Sequence, residues 1–435
     1  MSDSLTEIIT LPEYTGRIYH DPRVIVASED GRAYVKRFKN KFDVIYSLSS
    51  NSWAALASGA FALAENYLFT TEAFEDYWRA LSDSGFIMME HQFYMPRLVT
   101  EVMDALKRLQ VADPGDHFAV YNLPKMRRNM LLLSKRPLTD EIRTRAFGDR
   151  AADDYGYYYL LYPAADSAGD NLIGRIVRDG WEKVSDSAAI DLSPAADNRP
   201  FIAQMGLWKN FSIKDLKKVL PYEFFGFPLA KVIIVIILVV VLLLIIPLNL
   251  IPYFFKGDRL RTVPWLYYFA IGMAFIIVEI VLIQKYALFI GPSIYSIIAV
   301  MLTLLIASGI GSNFAGKVSH HIAFPAIIIW LILDVTIFKY IIHGLGDLTM
   351  SPRILITSFL ILPLGVFMGM PFPKATLKVG SLVDWGFAVN GAASVFGSTL
   401  IILIVFTYGF NMALLIGAGM YLVAYILILN KRMWE

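Results

Sequence analysis

Polar residues stand at places in this chain where chemistry is done in other folds. Asp30-Gly31 follows the apolar run Arg23–Ala27 (RVIVA), and Ser47, Ser49 and Ser50 close or follow Phe42–Ser47 (FDVIYS). Glu90, His91 and Gln92 close the run that begins at Phe86. Each group falls where a stretch of β-strand character ends, and open α/β sheets bind ligands outside the carboxyl ends of their strands. Asp30-Gly31 reads either as part of such a site or as a turn before the helical stretch Arg32–Phe38. His91 and Gln92 read either as pocket lining or as a satisfied surface turn. Glu279 lies alone in a long apolar stretch, where an ionisable group costs several kcal/mol unless paired or protonated. A proton or cation path is one reading and a structural hydrogen bond the other. Gln284 lies five residues on, roughly half a turn off that face, and Asp334 is a similar case with Lys339 nearby. His320-His321 has no carboxylate or cysteine at ligand spacing, so no metal site is expected. With no cysteine in the chain, disulfides, thiolate nucleophiles and Cys-ligated metals are excluded.

The elements that position these residues are of two kinds. Val232–Ile246 (VIIVIILVVVLLLII) has no polar interruption, and widened to 229–254 it is long enough to cross a hydrocarbon core. Residues 231–435 carry twelve Lys/Arg and six Asp/Glu, which leaves 27 and 31 for residues 1–230. A mildly acidic soluble part therefore precedes a sparsely charged, basic apolar part. Neither balance suggests nucleic-acid binding.

In the soluble part, strand character at 23–27, 42–47, 86–90, 118–123 and 129–134 alternates with helical patterns at 32–38, 71–81, 98–109 and 138–150. This is an α/β order whose last two strands are close in sequence, as in a methyltransferase-type Rossmann sheet with an antiparallel final strand. Residues 151–228 show no clear period and form an irregular extension and linker, so the divisions expected are 1–150, 151–228 and 229–435. The apolar part yields about seven spans, at 229–254, 265–284, 293–312, 322–342, 353–372, 385–407 and 411–429. Trp265, Tyr267, Tyr268, Tyr286, Tyr340 and Trp385 lie near span ends, as interfacial aromatics do. Lys and Arg divide evenly between the two sides, so the positive-inside rule gives no orientation.

The ordered segments RVIVASEDGRAYV, KFDVIYSLS and ENYLFTTEAFEDYWRALSDSGFIMMEHQ resemble the spermidine synthases, and more closely their membrane-embedded relatives. Asp197–Phe201 (DNRPF) and the later segments GMAFIIVEIVLIQKYALFIG, GMPFP and WGFAVNGAASVFGS are similar to that family as well. The resemblance implies a fold that binds decarboxylated S-adenosylmethionine or S-adenosylmethionine and transfers an aminopropyl or methyl group, with a polyamine as the partner molecule. It places Asp30 and Gly31 at the adenine, where a carboxylate accepts from an exocyclic amine and a glycine lets the ring approach. It implies a bilayer location with the soluble domain in the cytoplasm, and no metal.

The chain departs from the family in two ways. The position of the family's amine-deprotonating Asp falls at Leu48, which accepts no proton; Asn51 is the nearest polar substitute, and Glu65 or Glu90 would serve only if the fold brings them near. No catalytic residue is assigned on this basis. The glycine-rich loop should also precede Arg23, yet residues 1–22 supply only Gly16. With the usual order 3-2-1-4-5-7-6, strands at 23–27 and 42–47 would be separated by a gap of roughly 14 Å. A fragment, an upstream partner chain completing the sheet, or an altered strand order are the outcomes expected. The functions to be weighed are a membrane-anchored transferase and a transporter or scaffold carrying a non-catalytic α/β module.

Overall fold

The computed structural model describes residues 18–27, 29–47, 66–91, 94–139, 141, 159–163, 171–214, 226–254, 259–291 and 294–430. Leu48, Ser49, Asn51, Glu65, Gln92 and most of the helix expected at 138–150 lie outside the described residues.

The soluble part is a five-stranded mixed sheet of order β1-β2-β4-β3-β5. Strand β1 (Phe42–Ser47) runs parallel to β2 (Leu81–His91), while β4 (Arg128–Ser134) is antiparallel to both β2 and β3 (Phe118–Leu123). A fifth strand, β5 (Tyr159–Tyr162), adds antiparallel to β3. It lies in the stretch where the sequence shows no period. One face of the sheet, carrying Ile87, Met89, Phe118, Val120, Leu131 and Leu133, is buried against α2 (Thr71–Ala80) and α3 (Met95–Arg108). The period-2 alternation of those residues is what commits that face to the core. Helix α2 is capped by the Thr70 hydroxyl, and Pro96 occupies the first turn of α3.

Two strand expectations change. The strand expected at 86–90 starts earlier, at Leu81, so Ser84-Gly85 lies inside β2, where the register against β1 shifts. Residues 24–27 are not a strand at all, and Ile25 is 84% exposed. Among the described residues no strand pairs with the outer edge of β1, so RVIVA has no ladder to join. At its start the backbone bonds locally, the Arg23 and Val24 N–H groups both donating to Asp21 at 2.9 Å.

The apolar part is a helical bundle: α6 (Leu229–Phe254), α7 (Thr262–Ile290), α8 (Ile294–Phe314), α9 (His320–Leu333), α10 (Lys339–Gly344), α11 (Met350–Met368), α12 (Pro371–Val379) and α13 (Val383–Leu429). The soluble domain and bundle are linked by α4 (Leu172–Asp179), α5 (Trp181–Ser185) and the extended stretch that follows them. Five segments are long and apolar enough to cross a membrane, against the seven expected. The counts differ because the fifth, Met350–Leu429, is one continuous apolar stretch of 80 residues. At 1.5 Å per residue it far exceeds a bilayer core of ~30 Å, and it turns between α11 and α12 and again inside α13.

The turn inside α13 is at Gly409, whose φ of 81° is open to glycine at little cost. Both arms of α13 then pack on α7: Gly397 lies against Met273, and Gly417 against Val278. Three of the aromatics expected at an interface are instead inside the bundle. Tyr267, Tyr268 and Tyr286 are fully buried, with the Tyr267 hydroxyl donating to the Pro371 carbonyl at 2.8 Å. Tyr340 is exposed as expected.

A Cβ at Gly409 would drive into Asn198, and positive φ costs a non-glycine residue about 1–2 kcal/mol. Gly409→Ala is therefore expected to lower the melting temperature of the detergent-solubilised protein. Gly419→Ala, which meets no neighbour within 4 Å, is the control expected to leave it unchanged.

Candidate functional site

Two groups of polar residues are built by this fold, one at the sheet edge and one where the sheet domain meets the bundle. At the carboxyl edge, Glu90 on β2 accepts a 2.6 Å bond from the Tyr46 hydroxyl on β1 and a 2.8 Å bond from Arg128 at the start of β4. The pairing of β1, β2 and β4 is what lines up these three side chains. Tyr46 is 53% exposed while Glu90 is buried, and the neighbouring carboxylate pushes the Tyr46 phenol up. Ser47 ends β1 beside this group.

His91 is neither pocket lining nor a surface turn. It is fully buried, stacked on Tyr94 at 4.1 Å and edge-on to Phe69 at 5.6 Å. Its Nδ1 accepts from the Tyr94 backbone N–H at 3.3 Å, which needs a neutral ring. Burial, aided by Arg128, brings its pKa down to about 3.

Asp30 is the N-cap of α1 (Gly31–Lys36), accepting from the Ala33 N–H at 2.8 Å. Gly31 has no neighbour that a Cβ would meet, so no close approach requires a glycine there. Both belong to the junction between domain and bundle, since Gly291, after α7, faces the Asp30 side chain. A cavity of about 290 Å³ lies here, with Asp30, Arg32, Glu72, Asp197, Lys285 and Arg353 among its walls.

Arg32 organises that junction. Its buried guanidinium meets Asp76 at 2.9 Å and grips Asp197 with two bonds of 2.6 and 2.9 Å. Asp197 also accepts from Thr70 at 2.7 Å. Despite its burial, the Arg32 charge and these bonds hold the Asp197 carboxyl below the ordinary carboxylate range. Glu72 donates nothing but accepts from Arg108 and from the Asp197 N–H, and burial together with the Asp197 charge pushes it up. Asp30 is likewise raised by burial.

Inside the bundle, Asp334 pairs with Lys285 and accepts from the Tyr286 hydroxyl at 2.8 Å, both groups supplied by α7. The backbone widens to a π turn at 334–338 around it. Glu279 is half-buried, and among the described residues no hydrogen bond or ion pair reaches it. Gln284 enters through its backbone, its carbonyl accepting from Tyr67 of the soluble domain at 2.8 Å. No group of three metal-ligating side chains occurs among the described residues.

The parallel pair β1-β2 followed by the antiparallel β4-β3 has the order and directions expected of the final strands of a methyltransferase-type sheet. Residues 7–136, under a third of the chain, match the spermine/spermidine synthase domain family, so the N-terminal region is spermidine synthase-like. No curated protein and no solved structure matches the chain. The five apolar segments are compatible with an integral membrane protein.

Sequence reasoning missed Arg32, Arg353 and the Tyr46–Glu90–Arg128 group. The DNRPF stretch was the available signal for the junction, because its Asp and Asn make the contacts there.

Removing one partner of a buried ion pair leaves the other charge uncompensated, at about 3–5 kcal/mol. Arg32→Leu, which strands Asp76 and Asp197, is expected to lower thermal stability by that order in a melting experiment. His91 predicts an acid effect. Its folded pKa lies below the unfolded value of 6.5, so its contribution is full above pH 6.5 and falls away as pH drops towards 3. The loss approaches roughly 4 kcal/mol. The difference in melting temperature between the native protein and His91→Phe should change across that window, and a constant difference would refute the assignment.

Proposed function

We propose that this chain is a membrane-embedded transferase of the aminopropyltransferase type, acting at the carboxyl edge of β1 and β2. The observation that carries the reading is the family match over residues 7–136 combined with a polar group, Tyr46–Glu90–Arg128, at the edge where such sheets take ligands. The ligand is decarboxylated S-adenosylmethionine or S-adenosylmethionine, and the acceptor is an amine of the polyamine class. A sulfonium of this kind supplies an electrophilic carbon: an amine nitrogen bonds to it, the C–S bond breaks, the thioether leaves with the electron pair, and the nitrogen loses a proton.

Glu90 is the carboxylate that attracts the cationic amine. Its two oxygens already accept from Tyr46 and Arg128, so its role here is to position the amine. Ser47 ends β1 at this edge, whereas Asp30, from the family-derived cofactor element Asp30-Gly31, lines the junction cavity. Among the described residues no strand pairs with the outer edge of β1, which supports a further strand or a partner chain there. The nucleotide-type fold supports a cytoplasmic soluble domain.

Calorimetric titration of the purified protein, alone and co-purified with the product of the reading frame immediately upstream, tests this. Saturable binding of decarboxylated S-adenosylmethionine or S-adenosylmethionine is expected, weakened by Glu90→Gln. The absence of binding by either compound to either preparation would end the transferase reading.

One observation favours transport as a second reading. An open pocket of about 420 Å³ on the bundle is bounded by the helix break at Gly369–Pro373 and by the buried Tyr421, whose hydroxyl has no hydrogen-bond partner among the described residues. Glu279 lies on the helix that also lines this cavity. Broken helices beside a cavity are how transporters form midplane sites. Proteoliposomes should then take up putrescine above the level of empty liposomes, and Glu279→Gln should reduce the rate. Uptake no greater than in empty liposomes removes this reading.

A further inference from the structure

The charges that wall the junction cavity are almost all neutralised in place. Arg32 is held by Asp76 and Asp197, Glu72 by Arg108, and Lys285 by Asp334. Lys36 reaches Asp76 at 4.0 Å. Two charges differ. Asp30 accepts from backbone N–H groups at the start of α1 and meets no cation at contact distance among the described residues. Arg353 is buried on α11, and its bonds go to carbonyls, from Nη1 to Phe289 at 2.8 Å and from Nε to Thr349 at 3.4 Å.

Both groups line the same cavity, and each feels the other's charge, yet they form no ion pair within 4.0 Å. Glu29, the other carboxylate near Arg353, is taken up by Arg37. A carboxylate and a guanidinium are therefore presented across a gap. Leu288, Phe289, Ile342 and Phe410 supply apolar wall between and around them. A monocation placed here would leave Arg353 without an anion, and a monoanion would leave Asp30 without a cation. Either arrangement keeps a charge in a poorly solvated site without a partner, which is costly.

We propose that this junction cavity binds a small zwitterion, with its ammonium against Asp30 and its oxyanion against Arg353. The gap takes one molecule carrying both groups on a short spacer, with any apolar remainder against the leucine, isoleucine and phenylalanine walls. Two sources carry that chemistry: a free α-amino acid, and the headgroup of an aminophospholipid reaching the junction from the bilayer. The proposal does not rest on the transferase reading, since no nucleoside is involved.

The test is a thermal-shift and calorimetric titration of the full chain in detergent against each proteinogenic L-amino acid. For the tightest, the analogue lacking the carboxylate and the analogue lacking the ammonium are titrated as well. In parallel, the protein is reconstituted with phosphatidylethanolamine or with phosphatidylglycerol. An amino acid that binds saturably, with both single-charge analogues weaker by about tenfold or more, supports the free ligand. Stabilisation by phosphatidylethanolamine over phosphatidylglycerol, with no amino-acid binding, supports the lipid headgroup.

In either case Asp30→Asn and Arg353→Gln should each abolish the effect. The analogue comparison is made on the native protein, so it stands even if a variant misfolds. Equal binding of a single-charge analogue, or no response to any amino acid and no preference between the lipids, overturns the proposal.

Discussion

The Arg32–Asp197 pair, with Asn198 beside it, is the contact on which the relation between the two halves depends. Asp197 faces the soluble domain and is fixed by Arg32 and Thr70. Its neighbour faces the bundle. The Asn198 carbonyl accepts from the Phe410 N–H, and its side-chain oxygen accepts from the Asn411 N–H, each at 2.9 Å. Those two N–H groups open the second arm of α13 after the break at Gly409. The first N–H groups of a helix lack partners within it, and here a residue more than 200 positions away in sequence acts as the cap. The break in the bundle and the ion pair in the soluble domain are thus one structural device.

That device needs a rigid support, and Arg97 supplies it. Its buried guanidinium on α3 donates to the carbonyls of Ser193, Phe201, Ile202 and Gln204. Among the described residues no carboxylate is in contact with it, and burial lowers its pKa. The segment from 191 to 205 has almost no regular structure, so its carbonyls have no ladder to join. A five-donor side chain is the group that satisfies several of them from one position. Phe201, from the same segment, packs edge-on against Phe406 at 4.8 Å, which carries the soluble core onto α13.

How much of this was legible follows from the range of the interactions. Strands 42–47, 118–123 and 128–134 and helices 71–80 and 95–108 were readable because local periodicity and caps decide them. Arg23–Ala27 has the same local signal and is not a strand, because a strand exists only with a neighbour, and apolar β-branched residues do not provide one. Strand β5 fails in the opposite direction: four residues, Tyr159–Tyr162, carry too little pattern, and the edge of β3 organises them. Tyr267, Tyr268 and Tyr286 have the composition of an interfacial belt, but amphipathic rings also suit a bundle interior that offers acceptors such as the Pro371 carbonyl and Asp334.

The site residues show the same division more sharply. Asp30-Gly31 was recognisable as a motif, yet its sequence says only that a carboxylate precedes a helix. Any Asp in that position can cap. Whether it also meets a ligand depends on what surrounds the carboxylate, and that includes Gly291 near its Cβ and the Arg353 charge, from a different part of the chain. The Tyr46–Glu90–Arg128 group was hidden for a related reason. Its members come from three strands, and only the pairing of β1 with β2 and of β2 with β4 sets them within bonding distance. His91 stood next to Glu90 in the sequence and on the opposite face of the same strand. One residue of offset sends Glu90 to the polar edge group with Tyr46 and Arg128 and His91 into the core, where a charged ring would be costly and a neutral one serves as packing.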